Sequence, residues 1–303
     1  MLVRELVEGQ EIDQVLLVRD RSRGGERLRL KLGDRTGCLR AMADPEVAAC
    51  CEPGAAVHVS GRYAAGELEV RAARAAGEGE YDLTELLDGP PRSATGMEAD
   101  LRELVATVQN PHLRALLDAV FGPGSPPWRQ FRDAPAAKRY HQAYRHGLLE
   151  HSLTVAQAVS AISATFPGID RDVAVTGALL HDIGKLEAYT ADPLAIDMTD
   201  LGKLQGEIPL GYYRIRRLIE DLPGFPDQLA AAVLHIILSH HGTLEHGSPV
   251  VPCTREATLV HMIDNLGGRL GSFDRLEKEL PDGSRWSPFD RALSGSAWFA
   301  RAA

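Results

Sequence analysis

Histidine and aspartate stand side by side at His181-Asp182, closing the apolar run Ala178-Leu179-Leu180 and preceding Ile183-Gly184-Lys185. An imidazole nitrogen and a hard carboxylate adjoining at a helix end can turn toward one cation, and the second carboxylate oxygen can reach another. Lys185 adds a positive charge just past the pair. The plainer alternative is a buried ion pair that merely closes a helix. The distribution of histidine favours chemistry: ten of the eleven lie beyond residue 111, and nine of these fall in 141–151, at 181, in 235–246 and at 261.

Other segments hold candidate partners. Gly147-Leu148-Leu149-Glu150-His151-Ser152-Leu153 puts His151 on a helix whose other face carries Leu149, Leu153 and Ala156. Glu256–Leu270 reads as a helix on which His261 and Asp264 share a face. His240 and His241 precede Gly242 and serve either as ligands or as a helix C-terminal cap. Glu207, before Ile208-Pro209, is either a ligand or a solvated loop carboxylate. His141, His146 and His246 could contact substrate or simply face water, whereas His235 and His261 read as core histidines with a hydrogen-bond partner.

The elements that must position these residues fall into two parts. Residues 12–18 and 27–32 show strand-like spacing, Asp34-Arg35-Thr36-Gly37 reads as a tight turn before Cys38–Ala41, and Ala56–Tyr63 and Glu67–Ala72 flank the turn Ala64-Ala65-Gly66. Short strands with Gly turns predict a small barrel over 1–76, in an order resembling an oligonucleotide-binding (OB) fold. Residues 77–97, with Gly77-Glu78-Gly79-Glu80 and Pro90-Pro91, have linker composition. From Thr95, with Thr95 and Glu98 in a capping-box pattern, the period becomes helical, and Asn110-Pro111 opens a second helix. The fold class is multidomain α+β: an OB-like barrel followed by an all-α domain over 98–303.

Composition limits the function further. A net charge of −9 excludes a protein that coats nucleic acid through lysine and arginine alone. A basic stretch nevertheless runs from Arg19 to Arg40, in which Arg27, Arg29 and Lys31 share one strand face, with Arg35 and Arg40 beyond; it is either a nucleic-acid contact or a solvated face. Tyr63 is the only aromatic residue in 1–76, so base stacking on the barrel is not expected. Trp286, Trp298 and Phe299 read as packing residues. No apolar run reaches the roughly 20 residues of a membrane span, and MLVRELVEGQEI lacks a secretory h-region, so no membrane association and a cytoplasmic location are expected. Four cysteines without a C-x-x-C spacing read as structural thiols.

The ordered set His151, His181-Asp182-x-Gly-Lys185 and Asp264 resembles the HD superfamily of metal-dependent phosphohydrolases. With a barrel in front, and with Ala136-Ala137-Lys138-Arg139-Tyr140-His141, Gly147–His151, Ile237-Leu238-Ser239-His240-His241-Gly242 and Glu245-His246-Gly247-Ser248-Pro249, the chain is similar to the YhaM family of 3′-to-5′ exoribonucleases. The resemblance implies one metal on His151, His181, Asp182 and Asp264, and a second on Glu207, His240 and His241 with Asp182 bridging. Asp182 and Lys185 would be the catalytic pair, and metal-acidified water would attack phosphorus without a protein nucleophile. Two-metal relatives carry a histidine where this chain reads Gly206-Glu207-Ile208, a change that favours harder ions. The implied cofactor is one or two divalent ions, Mn²⁺ first, with Mg²⁺, Co²⁺, Ni²⁺, Fe²⁺ and Zn²⁺ compatible. The implied partner is single-stranded RNA, with DNA and homo-oligomerisation left open. Two alternatives stand beside this: hydrolysis of a small nucleotide or cyclic dinucleotide, and a nucleic-acid-binding protein whose metal site has decayed.

Overall fold

Leu28, Leu30 and Leu32 are buried while Arg27, Arg29 and Lys31 face outward, and this period of two builds the N-terminal part of the chain. A computed structural model describes residues 2–138, 142–190, 192, 194–278, 280 and 283–300; Arg139, Tyr140 and the candidate His141 lie outside the described residues. Five strands, β1 (Glu11–Gly24), β2 (Arg27–Asp34), β3 (Gly37–Ala43), β4 (Ala56–Ala64) and β5 (Glu67–Ala75), close in the order β1-β2-β3-β5-β4. Every neighbouring pair is antiparallel except β3 with β5. This is the expected OB-like barrel. β1 outruns the expected 12–18 because it serves two partners: Glu11–Leu17 pair with β4, and past a bulge near Val18 the strand continues along β2.

The expected linker 77–97 has structure of its own. Helix α1 (Leu83–Leu86), capped by Asp82, docks on the barrel, where Glu85 O accepts the Arg35 N–H at 2.9 Å and Leu86 O accepts the Arg19 guanidinium at 2.9 Å. Helix α2 (Ala94–Ala106) is capped by Ser93, whose Oγ accepts from Gly96 N, rather than by Thr95. Glu98 is drawn to Arg102 at 2.8 Å and Arg132 at 3.3 Å, so no Thr95–Glu98 box forms.

The rest is helical: α3 (Pro111–Phe121, capped by Asn110), α4 (Pro126–Asp133), α5 (Gly147–Ser163), α6 (Arg171–Leu180), α7 (Lys185–Ala188), α8 (Asp200–Gln205), α9 (Glu207–Glu220), α10 (Asp227–Ser239) and α11 (Arg255–Lys278). Helices α5, α6, α10 and α11 pack on one another around Leu148, Leu153, Leu179, Ile236 and Val260. Each such side chain contributes about 1.5–3 kcal/mol on burial, which makes these four helices a stiff frame. None of the described helices is long and apolar enough to cross a membrane.

The C-terminal aromatics depart from expectation. Residues 286 and 298 form an antiparallel bridge, and both tryptophans are exposed, at 60% and 52%, instead of packing. The inner face of this ribbon is supplied by Ser287 and Ala297, which are small enough to lie close to their support. Phe299 is half-buried and meets Phe273 edge-on at 6.3 Å.

Candidate metal centre

Four helices bring six of the seven candidate ligands together, two by their ends and two by their sides, and the seventh, Glu207, comes from α9. His181 caps the C-terminus of α6, with Asp182 on the following turn, and His240 caps the C-terminus of α10, with His241 next. Helix C-termini carry partial negative charge, so two of them converging favour a cation. His151 projects from the second turn of α5 and Asp264 from α11.

His151 Nε2 lies 3.0 Å from Asp264 Oδ1, 3.2 Å from Asp182 Oδ2 and 3.2 Å from His181 Nε2. His181 Nε2 is 3.3 Å from Asp182 Oδ2 and 3.8 Å from Asp264 Oδ1. The other carboxylate oxygen, Asp182 Oδ1, turns to His240 Nε2 at 3.5 Å. Asp182 Oδ2 therefore faces His151 and His181, beside Asp264, while Oδ1 faces His240, next to His241; His181, His240 and Asp264 also lie within ligand distance of one another, so the two sides adjoin.

Backbone carbonyls set the ring orientations. His181 Nδ1 meets Ala178 O at 2.7 Å, His240 Nδ1 meets Ile237 O at 2.8 Å, and His241 Nδ1 meets His246 O at 2.9 Å. Since a carbonyl only accepts, Nδ1 carries the proton in each, and Nε2 presents a lone pair to the cluster. The lone pair of His240 Nε2 then confronts a carboxylate oxygen. Both atoms are buried, and neither has a hydrogen-bond partner among the described residues. Two buried acceptors facing each other call for a cation between them, so the donor set fits divalent metal.

The electrostatics agree. Burial alone would lower the His151 pKa, but Asp182 and Asp264 outweigh it and raise it to about 9. Burial would raise the Asp182 carboxyl, yet Lys185 and His181 hold it well below the usual carboxylate range. Asp264 is likewise held low against its burial, by His151 and His181. Lys185 Nζ sits 2.6 Å from Asp182 Oδ2, and that carboxylate keeps its pKa raised despite burial.

Glu207 opens α9 rather than lying in a loop, half-buried, with Oε1 3.9 Å from His241 Nε2. A Cβ on Gly184 would stand 1.9 Å from Glu207 O, so only glycine lets the His-Asp turn approach α9 this closely. His261, expected as a core histidine, is half-buried and acts on the site, its Nδ1 meeting His240 O at 2.7 Å. Its ring also fills the space where a Cβ on Gly242, at φ +84°, would come within 2.1 Å. The i, i+3 spacing to Asp264 was the available signal for this. His246 is exposed and contributes its carbonyl, while His146 opens α5 with Nδ1 2.7 Å from Arg132 O, away from the cluster. His235 is half-buried and its Nε2 accepts the Cys253 N–H at 2.8 Å.

On the barrel, Arg29, Lys31, Arg35 and Arg40 are exposed. Arg27 is held by Glu69 in a two-pronged pair and by Asp44 at 3.1 Å, while Arg40 stands in register with Glu67. The basic face is thus interleaved with acids from β5. Tyr63 packs against the barrel core.

Comparison with known proteins places the geometry. The HD domain family model matches residues 148–268, a span that contains all the candidate ligands. A 3′-5′ exoribonuclease YhaM from Geobacillus sp. (strain WCH70) is 31% identical over 287 residues, covering 90% of this chain and 87% of the relative. The chain belongs to the YhaM family. Relatives of the same name from Bacillus velezensis and Bacillus subtilis (strain 168) are each 29% identical over 290 residues, covering 90% of both chains. The match runs through barrel and helical domain together, so the HD centre and the barrel in front of it are shared as one architecture.

Proposed function

We propose that the protein is a divalent-metal-dependent 3′-to-5′ exonuclease acting on single-stranded RNA. The observation that carries this reading is the two-sided placement of Asp182 between His151, His181 and Asp264 on one side and His240 and His241 on the other, in a chain of the YhaM family. His151, His181, Asp182 and Asp264 would hold one ion, and Asp182, Glu207, His240 and His241 a second, with Mn²⁺ the first choice and Mg²⁺ next. Bound divalent ions supply charge neutralisation at the phosphoryl oxygens and acidify the attacking water.

The protein's own contribution is positional. The carbonyls of Ala178, Ile237 and His246 lock three imidazoles before substrate arrives. Lys185 orients Asp182, and its charge would help to neutralise the scissile phosphate. Arg29, Lys31, Arg35 and Arg40 on the barrel would follow the phosphate backbone. The absence of aromatic residues from the outer barrel face favours a second reading, a small nucleotide or cyclic dinucleotide as substrate. The buried, mutually oriented ligands speak against a decayed site. A cytoplasmic location suits an enzyme of RNA turnover.

The test is incubation of purified protein with 5′-labelled, 3′-tailed RNA across a divalent-metal series, with single-stranded DNA and a cyclic dinucleotide in parallel. A ladder shortening from the 3′ end, lost on chelation, is expected. RNA left intact under every metal while the dinucleotide is cleaved would overturn the exonuclease reading.

A further inference from the structure

We propose that the C-terminal ribbon is a base-stacking platform for single-stranded RNA, with the Trp286 and Trp298 indoles as stacking surfaces and Arg285 and Arg291 as phosphate contacts. The inference rests on the RNA reading above and supplies what the barrel lacks.

The backbone of the ribbon dictates how the two indoles stand. Ser287 N donates to Ala297 O at 2.9 Å and Phe299 N donates to Arg285 O at 2.8 Å, which makes Trp286 and Trp298 a directly opposed pair without hydrogen bonds between them. Residues in such a pair project from the same face with Cβ atoms about 4.5–5.5 Å apart. Two large apolar rings are thus held side by side in water, 60% and 52% exposed, and Phe289, three residues along the chain from Trp286, is exposed as well. Leaving this much aromatic surface solvated forgoes its burial and marks a contact surface.

The platform is held firmly. Its inner face, Ser287 and Ala297, is buried, and three links fix it to α11: Arg269 to Leu293 O at 3.4 Å, Arg275 with Asp290, and Phe273 against Phe299. These anchors begin five residues beyond Asp264 and end eleven residues beyond it on the same helix. At about 1.5 Å per residue that is roughly 8–17 Å along the axis, within reach of a strand whose 3′ end enters the cluster. At the far end of α11, Lys278 Nζ meets Asp88 at 3.2 Å, next to α1 on the barrel. The ribbon therefore lies along the route from metal centre to barrel.

The chemistry suits single-stranded nucleic acid. Stacking on aromatic side chains tolerates any base because every base has a π-face. Arg285 and Arg291 are exposed, and neither pairs with an acid among the described residues. The barrel cannot supply stacking, since Tyr63 is turned into its core contacts.

The experiment uses the full chain and a short oligouridylate. Of the three tryptophans Trp128 is buried, so the intrinsic fluorescence that RNA can quench comes from Trp286 and Trp298. Oligouridylate is expected to quench the wild type. Trp286→Ala with Trp298→Ala should weaken binding about 25-fold, at about fivefold per lost stack, while hydrolysis of bis(p-nitrophenyl) phosphate is unchanged. Trp286→Phe with Trp298→Phe, which keeps a ring at each position, should bind more weakly than wild type with quenching gone, and carries the test if the alanine variant unfolds. Wild-type protein that degrades RNA without any quenching, or alanine variants of undiminished affinity, would overturn the platform and leave the exonuclease reading standing. Variants that lose only oligomeric mass in sedimentation would assign the face to a second copy of the chain and overturn the proposal. A wild type that neither binds nor degrades RNA would remove both readings.

Discussion

Asp182→Asn tests the centre most directly, because the substitution keeps the shape of the side chain and removes only its charge. Asp182 is 2% exposed and lies 2.6 Å from Lys185 Nζ, 3.2 Å from His151 Nε2 and 3.3 Å from His181 Nε2. In metal-free protein the change leaves the buried Lys185 ammonium without its counter-ion. Removing one partner of a buried pair costs about 3–5 kcal/mol. Taking the lower figure, the melting temperature of the helical domain should fall by roughly 6–12 °C at about 2–4 °C per kcal/mol. Lys185→Met on the same background removes the orphaned charge, and the double variant should recover more than half of the loss. At saturating Mn²⁺, turnover of Asp182→Asn should drop by more than about a hundredfold, beyond what loss of a group supporting a metal ligand costs. Melting is followed by circular dichroism in chelator and turnover on end-labelled RNA. A single variant that melts with the wild type in metal-free buffer would refute the counter-ion argument. Near-wild-type turnover would show that the His-Asp centre is not where hydrolysis occurs.

Other outcomes follow from particular contacts. Because Asp182 and Asp264 raise the His151 pKa to about 9 in the metal-free protein, and ligation needs neutral imidazole, metal binding should expel about one proton at neutral pH and tighten up to that value. The sign for stability is the reverse: a histidine raised above its unfolded value of roughly 6.5 stabilises the metal-free fold below that pH and ceases to as pH climbs through about 9. Calorimetry in two buffers of different ionisation heat measures the proton, and zero release would contradict the reading. Glu207→His should shift activation from Mn²⁺ and Mg²⁺ toward Co²⁺, Ni²⁺ or Zn²⁺ with the first ion retained; an unchanged metal count and profile would make Glu207 a bystander. Arg29→Gln with Arg35→Gln should lower the salt slope of RNA binding by about 1.4, at about 0.7 per phosphate contact, whereas Arg27→Gln, whose guanidinium is held by Glu69 and Asp44, should leave the slope unchanged and lower thermal stability instead. Gly242→Ala forces a Cβ into the His261 ring at a left-handed position, so elemental analysis should find less metal bound; full occupancy would show that the His240-His241 turn tolerates the strain.

Much of this molecule is determined locally and is therefore legible in the sequence. Alternation of Leu28, Leu30 and Leu32 with Arg27, Arg29 and Lys31 specifies a two-faced strand, and Asn110-Pro111 specifies a helix start, because each depends only on neighbouring residues. The adjacency of His181 and Asp182 and their spacing to His151 and Asp264 are likewise written in the chain. Tertiary structure alone decided which oxygen of Asp182 faces which histidines, since that depends on how α5, α6, α10 and α11 cross. It also decided that Lys185 is engaged by Asp182, that His261 supports His240, and that β5 sets acids among the barrel's arginines. The tryptophans mark the boundary between the two kinds of knowledge. Composition treats an aromatic residue as buried surface, but whether Trp286 and Trp298 point into α11 or into water depends on which face of a two-residue period the ribbon turns to its support. A shift of one position in that docking would exchange the tryptophans with Ser287 and Ala297, and only contacts distant in sequence select between the two.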